Sequence, residues 1–434
     1  MHVKSVSIGL FGLGTVGSGV VHIINEHQDK LKHRLGCDVK ISKILVSDVD
    51  KPRDISLDGI RLTEDPNDII NDSEIDIIIE VMGGVEETRD YVMQALNNKK
   101  HVVTANKDMM ALYGKELLET AEKNKCDLFY EASVAGGIPI IRSLIDGLAS
   151  DKLTKLMGIV NGTTNYILTK MSQEGREYEE VLKEAQKLGF AEADPTSDVE
   201  GLDAARKLTI LGTLGFSMQI ELDDVSVRGI SNVTKNDLDF CKQLGYTMKL
   251  IALAERSDDK VEVSVEPTLL PHSHPLAAVN NEFNAIYVNG EAVGETMFYG
   301  PGAGMLPTAT AVVSDLITVV KNMTLGVTGH SVITPQFAKK LKTDDEVRAK
   351  YFLRVQAVDI PGTFAELTNL FAKQNISLEK VLQLPMEDDP LAEIVVTTHK
   401  TKKSDICEVI KKLEESTVVK KVKSYYRVEG DVSQ

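Results

Sequence analysis

Cysteine is scarce in this sequence. Its four residues, Cys37, Cys126, Cys241 and Cys407, are far apart and form no C-x-x-C pair. That scatter excludes a disulfide framework and a thiolate zinc site, and it predicts reduced thiols in a cytoplasmic protein. Long apolar runs are missing as well. No stretch of about 18 apolar residues occurs, so no membrane span is expected. The opening MHVKSVSIGLFGLG runs into a strand and a glycine turn, without the parts of a secretory signal peptide. Positive charge is in deficit, with 49 Lys and Arg against 65 Asp and Glu, a net charge of −16. Binding a phosphate backbone needs basic stripes, so nucleic acid is not an expected partner. The small basic cluster Lys420, Lys421 and Lys423 alternates along a predicted strand and reads as a solvated face. His272 and His274 in PHSHP read as an exposed proline-rich turn rather than a metal site. There is no internal repeat at solenoid spacing.

What is present is the balance of a globular protein, 42% apolar and 26% charged, in a chain long enough for two or three domains. Residues 3–125 alternate strand and helix patterns. IDIIIEVMGG is a continuous apolar run ending in glycines, as expected of a strand buried on both faces of a parallel sheet. The alternation predicts a doubly wound α/β domain over residues 1–130, with 305–325 returning to pack on it. Residues 131–330 predict an α+β catalytic and dimerisation domain. Its helices are placed at 138–149, 175–188, 200–215 and 236–254, and its strands at 155–160, 261–268 and 284–290. YGPGAGMLPTATAVVSDLITVVKNM reads as a Gly/Pro loop entering an apolar helix. The polar stretch 331–348 is predicted to be a linker. Residues 350–428 follow the order βαββαβ, a ferredoxin-like unit.

Two motifs point to a nucleotide. GLFGLGTVGSG places Gly12, Gly14 and Gly17 as G-x-G-x-x-G between a strand and a helix. The first glycine permits the turn, the second lets a pyrophosphate approach, and the third allows close helix packing. The helix start then favours the phosphate charge. The second strand ends at Ser47 and Asp48. Asp48 suits the ribose hydroxyls of NAD, whereas Ser47, Lys51 and Arg53 suit the extra phosphate of NADP; the sequence leaves both open. HVVTANKDMM puts Lys107 just past the carboxyl end of a strand, where ligands of open α/β sheets bind.

The stretch DVEGLDAARKL carries the chemistry. Written as a helix, it places Asp203 and Lys207 one turn apart among apolar residues. An exposed ion pair has the same spacing. Burial is the sharper reading, because GFAEADPTSD just upstream adds Glu192, Asp194 and Asp198. Carboxylates beside a lysine form a site for a cationic amino group and a proton-transfer group. A second lysine can tune the first by like-charge repulsion. NGTTN, with Gly162, Thr163 and Thr164, offers amides and hydroxyls for a carboxylate, or simply caps a helix.

The motifs GLGTVG, TANK, YEASVAGGIPI, NGTTNYIL, GFAEADPTSDVEGLDAARK and GPGAG together resemble monofunctional homoserine dehydrogenases that carry a C-terminal ACT domain. The resemblance covers essentially the whole length. It implies reversible NAD- or NADP-dependent oxidation of L-homoserine to L-aspartate 4-semialdehyde, the branch step toward threonine and methionine. It implies catalytic roles for Lys207, Lys107 and Asp203, and substrate contacts from Glu192, Asp198, Gly162 and Thr163. The cofactor would lie against Phe11, Gly12, Gly14, Thr15, Val16, Gly17, Gly83, Lys107, Gly189 and Gly304. EASVAGGI resembles the family's monovalent-cation loop, in which Glu131 and the carbonyls of Val134, Gly136 and Ile138 would hold structural sodium. The VDIPGTFAEL turn resembles an ACT ligand turn. It implies an amino-acid effector, threonine first, and a homodimer or homotetramer.

Two other functions compete. An aspartate-semialdehyde dehydrogenase needs a nucleophilic cysteine, and neither Cys126 nor Cys241 lies in such a motif. A non-catalytic amino-acid and redox sensor would bind cofactor without turnover, and the lysine–carboxylate set argues against it. An N-terminal kinase fusion is not expected, since the glycine turn begins at residue 12.

Overall fold

The structure, a computed structural model, describes residues 5–330, 333–385 and 390–430. Residues 331 and 332 of the predicted linker lie outside the described residues. The chain divides into two compact units. The first comprises Met1–Leu153, Arg206–Asp223 and Asn284–Lys339; the second comprises Thr154–Ala205, Asp224–Phe283 and Lys340–Gln434.

Six parallel strands organise the first unit: β1 (Ser5–Phe11), β2 (Asp38–Leu45), β3 (Arg61–Thr63), β4 (Ile77–Glu80), β5 (His101–Thr104) and β6 (Leu128–Phe129). Their order is 3-2-1-4-5-6, that of a Rossmann-like sheet. The order reverses between β1 and β4, and the crevice at such a switch point is where dinucleotides bind. The apolar run 77–79 is fully buried, as a strand covered on both faces must be. The helix Thr15–Glu26 turns Val20, Val21 and Ile24 inward. They share a core with Ile8 and Leu10 of β1 and with Val312, Leu316 and Val319 of the helix Met305–Leu325. The two helices approach closely because Gly19 has no side chain. A Cβ there would lie 2.7 Å from the Met305 carbonyl oxygen.

The second unit contains β7 (Leu153–Ile159), β8 (Ser226–Val227), β9 (Tyr246–Ser257) and β10 (Lys260–Pro271). The first unit then adds β11 (Phe283–Gly290) and β12 (Gly294–Pro301), which are neighbours in a sheet. The C-terminal module returns to the second unit as β13 (Arg348–Val358), β14 (Leu378–Pro385), β15 (Leu391–Thr398), β16 (Thr401–Lys402) and β17 (Val419–Val428). Within the module the order β17-β13-β15-β14 is ferredoxin-like. Its core is Leu353, Val355, Leu367, Phe371, Ile406, Val409 and Leu413. The module is not set apart from what precedes it. β17 pairs in parallel with β10 through Thr268–Arg427 and Leu269–Val428.

Three sequence expectations need correction. The helix placed at 236–254 stops at Gln243. Gly245 turns left-handed at φ +87, and Tyr246–Ser257 is a strand paired antiparallel with β10 along its full length. Its Leu, Ala and Glu favour helix locally, and tertiary pairing overrides that preference. The start of the Gly/Pro loop read from Tyr299 onward is strand instead, since β12 runs over Gly294–Pro301. The stretch read as a free linker is hydrogen-bonded near its end: the Val261 amide donates to Lys340, and the Lys342 amide donates to Val261. Among the described residues, no helix is long and apolar enough to cross a membrane.

Candidate active site

The glycine turn forms at the switch point. Gly12 adopts φ +98, and a Cβ on it would lie 2.8 Å from the Met82 backbone. A Cβ on Gly17 would lie 2.2 Å from the Gly12 carbonyl oxygen. Gly14 is the N-cap of the helix Thr15–Glu26 and has open space around it, and no side chain caps that helix. The first-turn amides at Thr15 and Val16 therefore lack an intrahelical partner and can receive an anion. This cradle fits a dinucleotide pyrophosphate. Phe11 is fully buried and packs edge-on against Tyr91 at 6.1 Å, and its carbonyl accepts the Val81 amide at 2.9 Å. Gly304, at φ +120, begins the helix Met305–Leu325, again with no side-chain cap.

A cleft of about 480 Å³ opens beside Gly12 and Gly14 and is lined by Ser47, Lys51 and Arg53. Asp48 does not line it. Its carboxylate accepts the amides of Asp50 at 2.9 Å and Lys51 at 3.2 Å. Arg53 braces the same loop through the carbonyls of Lys51 and Asp48 at 2.6 and 2.5 Å.

Beneath the glycine pair Gly83–Gly84, both left-handed, sits a fully buried carboxylate that sequence reasoning missed. Glu80 ends β4. It accepts the Met82 amide at 2.9 Å, the Gly83 amide at 3.3 Å and the Thr104 hydroxyl. Burial pushes its carboxyl up, against the lowering effect of these bonds. Asn106 completes the chain: it donates to the Gly84 carbonyl at 2.7 Å and caps the helix Lys107–Lys123 by accepting the Met109 amide at 3.0 Å. Lys107 is thus the first residue of a firmly capped helix.

Lys107 is tied to the second lysine segment. Asp108 lies 3.7 Å from the Lys107 ammonium and 3.0 Å from Arg206 Nε. Arg206 immediately precedes Lys207 on the helix Leu202–Phe216. Lys207 is half-buried there. Asp203, one turn earlier, is 6% exposed, as the apolar surroundings in the sequence suggested.

In the second unit, Asn161 gathers the acidic groups. Its Nδ2 donates to Asp198 at 2.7 Å and to Asp203 at 2.9 Å, while its Oδ1 accepts the Thr164 amide at 2.9 Å. It is therefore both the N-cap of the helix Gly162–Glu174 and the hub of the carboxylate pair. The amides of Gly162 and Thr163 stand in the open first turn of that helix. Gly162 also has a structural duty, since a Cβ would lie 2.7 Å from the Glu282 carbonyl oxygen. The Thr163 hydroxyl donates to the Phe190 carbonyl at 2.5 Å. Glu192 is exposed. Asp194 is engaged locally, accepting the Thr196 amide and hydroxyl at 3.1 and 2.6 Å. Gly189 is left-handed and donates its amide to the Gln186 carbonyl, ending the helix Tyr178–Lys187.

The loop 131–138 is built around Glu131. One carboxylate oxygen accepts the Ile141 amide and the other the Arg142 amide, both at 2.8 Å. Asp315 accepts the Glu131 amide and an Arg142 guanidinium N–H, each at 2.8 Å. Burial pushes the Glu131 carboxyl up and lifts that of Asp315 to about 7. Ala135 and Gly136 turn left-handed in succession. A Cβ on Gly136 would lie 2.5 Å from the Gly302 carbonyl oxygen. The Ile138 carbonyl accepts the Ile140 amide at 2.8 Å.

Known proteins are similar to this chain in sequence and fold. The chain matches the family described as Homoserine dehydrogenase, NAD binding domain, over residues 12–131. It matches the family described as Homoserine dehydrogenase over 139–317, and the ACT domain over 351–416. It is 60% identical to a homoserine dehydrogenase of Bacillus subtilis over 429 residues, covering 99% of each chain. A solved homoserine dehydrogenase from Thiobacillus denitrificans superposes with a TM-score of 0.93 at 38% identity, covering 98% of each chain. A hyperthermophilic archaeal homoserine dehydrogenase in complex with NADPH gives a TM-score of 0.60 at 26% identity, over 74% of this chain and 98% of that one. With a Rossmann-like sheet, a glycine cradle at its switch point and these full-length relatives, the chain belongs to the homoserine dehydrogenase family, NAD(P)-dependent oxidoreductases that act on a CH–OH group.

Proposed function

We propose that the chain interconverts L-homoserine and L-aspartate 4-semialdehyde, with Lys207 and Lys107 as its catalytic residues. The observation that carries this reading is the Asp108–Arg206 ion pair, which ties together the two segments bearing the lysines. The nicotinamide cofactor, when bound, takes the hydride from the alcohol carbon and returns it in the reverse direction. Lys207 takes the hydroxyl proton in oxidation and gives it back to the aldehyde oxygen in reduction. Lys107 holds the same oxygen. Asp203 and Asp198, steadied by Asn161, and Glu192 receive the α-ammonium group. The first-turn amides of Gly162 and Thr163 receive the α-carboxylate. Nicotinamide absorbance with L-homoserine, and with each cofactor in turn, tests the activity. Absence of turnover with cofactor bound would overturn it and favour a sensor.

NADP is the preferred cofactor in this reading. Asp48 is folded into its own loop, while Ser47, Lys51 and Arg53 line the cleft. The archaeal relative's NADPH complex supports the same choice. Gly83, Gly189 and Gly304 complete the cofactor contacts.

Sodium belongs to the loop 131–138. The donor set suits a hard monovalent ion: the Glu131 carboxylate keeps acceptor capacity after taking one amide on each oxygen, and the carbonyls of Val134, Gly136 and Ile138 are uncharged. Replacing sodium by choline while following thermal stability tests this assignment. An unchanged melting temperature contradicts it.

The ACT module takes L-threonine as an effector. Gly362 is left-handed at φ +98, the helix Thr363–Lys373 that it starts has no side-chain cap, and the buried Thr363 hydroxyl has no hydrogen-bond partner. Those groups suit an amino-acid carboxylate. The protein works as a homodimer or homotetramer. β12 and β14 end their sheets and carry exposed Met297, Tyr299, Val381 and Leu384, edges that a second copy would cover. Light scattering of the purified chain tests this, and a monomer at working concentration contradicts it.

A further inference from the structure

We propose that Arg228 is a positioning residue that couples the last strand of the ACT module to the substrate carboxylates Asp198 and Asp203. The proposal rests on the substrate and effector assignments made above.

Arg228 clamps two strands of the second unit together. Its amide donates to the Val265 carbonyl of β10 at 2.8 Å. Its guanidinium donates to the Tyr425 carbonyl of β17 and to the Glu266 carboxylate of β10, each at 2.8 Å. Its guanidinium carbon lies over the rings of Tyr425 and Tyr426, at 4.4 and 5.5 Å to their centres. Only a planar fork makes both bonds while lying on an aromatic face, so lysine is not equivalent here.

The next residues carry the coupling toward the carboxylates. A Cβ on Gly229 would lie 2.3 Å from the Val199 carbonyl oxygen and 2.4 Å from Glu200 Cα. The two chain segments therefore touch backbone to backbone, with no side chain to absorb a shift. The Ile230 amide donates to the Val199 carbonyl at 2.8 Å, and the Ser231 hydroxyl meets the Glu200 carboxylate. The turn Val199–Gly201 is flanked by the two acids. The Gly201 amide donates to the Asp198 carbonyl, and its carbonyl accepts from Ala205 in the helix that carries Asp203. Asn161 holds both carboxylates from the other side. Contacts this close transmit a displacement rather than damp it. A shift of β17 on effector binding thus reaches Asp198 and Asp203 through Arg228, Gly229 and the Val199–Gly201 turn.

β17 has a second anchor. Asp237 accepts from the Ser424 hydroxyl at 2.5 Å and from the Tyr426 hydroxyl at 3.1 Å. Removing the guanidinium therefore leaves the strand in place and loosens the hold of Arg228 on it, which weakens both the positioning of the Val199–Gly201 turn and the coupling.

The test uses the full chain with Arg228→Met and Arg228→Lys. Steady-state rates are measured against L-homoserine and against NADP, with and without L-threonine, and L-threonine binding is measured by calorimetry. The methionine variant is expected to raise the L-homoserine KM about tenfold while leaving the NADP KM unchanged. It is expected to bind L-threonine yet escape its inhibition, and the lysine variant to recover only part of both effects. An L-homoserine KM within about twofold of wild type, an equal rise in the NADP KM, or undiminished inhibition of the methionine variant would overturn the proposal. Failure of the wild-type chain to bind L-threonine would instead overturn the effector assignment, and the contrast between the two KM values then decides the role of Arg228.

Discussion

Arg206 reaches back across almost a hundred residues to Asp108, with 3.0 Å between Nε and the carboxylate. Each partner is the chain neighbour of a lysine, so the pair ties the segment that carries Lys107 to the segment that carries Lys207. Both side chains are partly exposed, so its contribution to stability is small. Its contribution to geometry is larger, because a displaced proton-transfer group loses rate steeply. Asp108→Ala is expected to lower kcat about tenfold with little change in the NADP KM. A fall in NADP affinity with kcat intact, in steady-state assays, would contradict this role.

Asn161 is the next point of leverage. Two carboxylates that share one amide repel each other once it is gone, and the helix start loses its cap. Asn161→Ala should reduce kcat/KM for L-homoserine about a hundredfold, mostly through KM, while NADPH binding, followed by fluorescence titration, stays close to wild type. Equal losses for both ligands would mean that the variant has only unfolded.

Cofactor choice is tested at Arg53. A phosphate gains a charge-assisted bond from a guanidinium, and a ribose hydroxyl gains much less. Arg53→Ala is expected to raise the NADP KM about tenfold and leave the NAD KM nearly unchanged. The ratio of kcat/KM values for the two cofactors reads this out. An unchanged ratio removes Arg53 from cofactor recognition.

Lys249 gives a pH-dependent prediction. It is 1% exposed, and its ammonium donates to the Val279 carbonyl at 2.5 Å and to Asn165 at 3.1 Å. Burial lowers its pKa from 10.5 to about 8. Between those values the unfolded chain binds more protons than the folded one, so this residue's contribution to stability rises with pH across the window. Below the window the cost of the buried charge is fully present. Wild type should therefore gain on Lys249→Met by up to about 3 kcal/mol between pH 8 and 10.5. Urea midpoints of both proteins at each pH measure this, and a constant difference would contradict it.

Much of the architecture is readable from the sequence because it is encoded locally. The run IDIIIE can only be a strand covered on both faces, and Gly12 and Gly17 stand where a Cβ would meet backbone. Of the carboxylates read together in the motif 189–207, Asp198 and Asp203 meet at the Asn161 amide, whereas Glu192 is exposed and Asp194 bonds within its own turn. The residues that organise the site were harder to see. Asn161 in NGTTN reads as an ordinary cap until the fold brings 198 and 203 to its amide. Glu80 looks like the polar end of a strand until Met82, Gly83 and Thr104 close around it. Residues 246–254 look helical because Leu and Ala say nothing about the partner strand β10. Each of these depends on groups far away in the sequence, and local pattern does not carry that information.

The most direct test of the catalytic assignment is single-turnover oxidation of L-homoserine by Lys207→Ala with NADP bound. Proton transfer by a positioned side chain contributes about 10² to 10⁴ in rate. The account predicts a loss of that order in the chemical step, with NADP affinity kept and a weakened dependence of the rate on pH. Wild-type turnover in this variant would contradict it and return Lys207 to a solvent-facing ion pair.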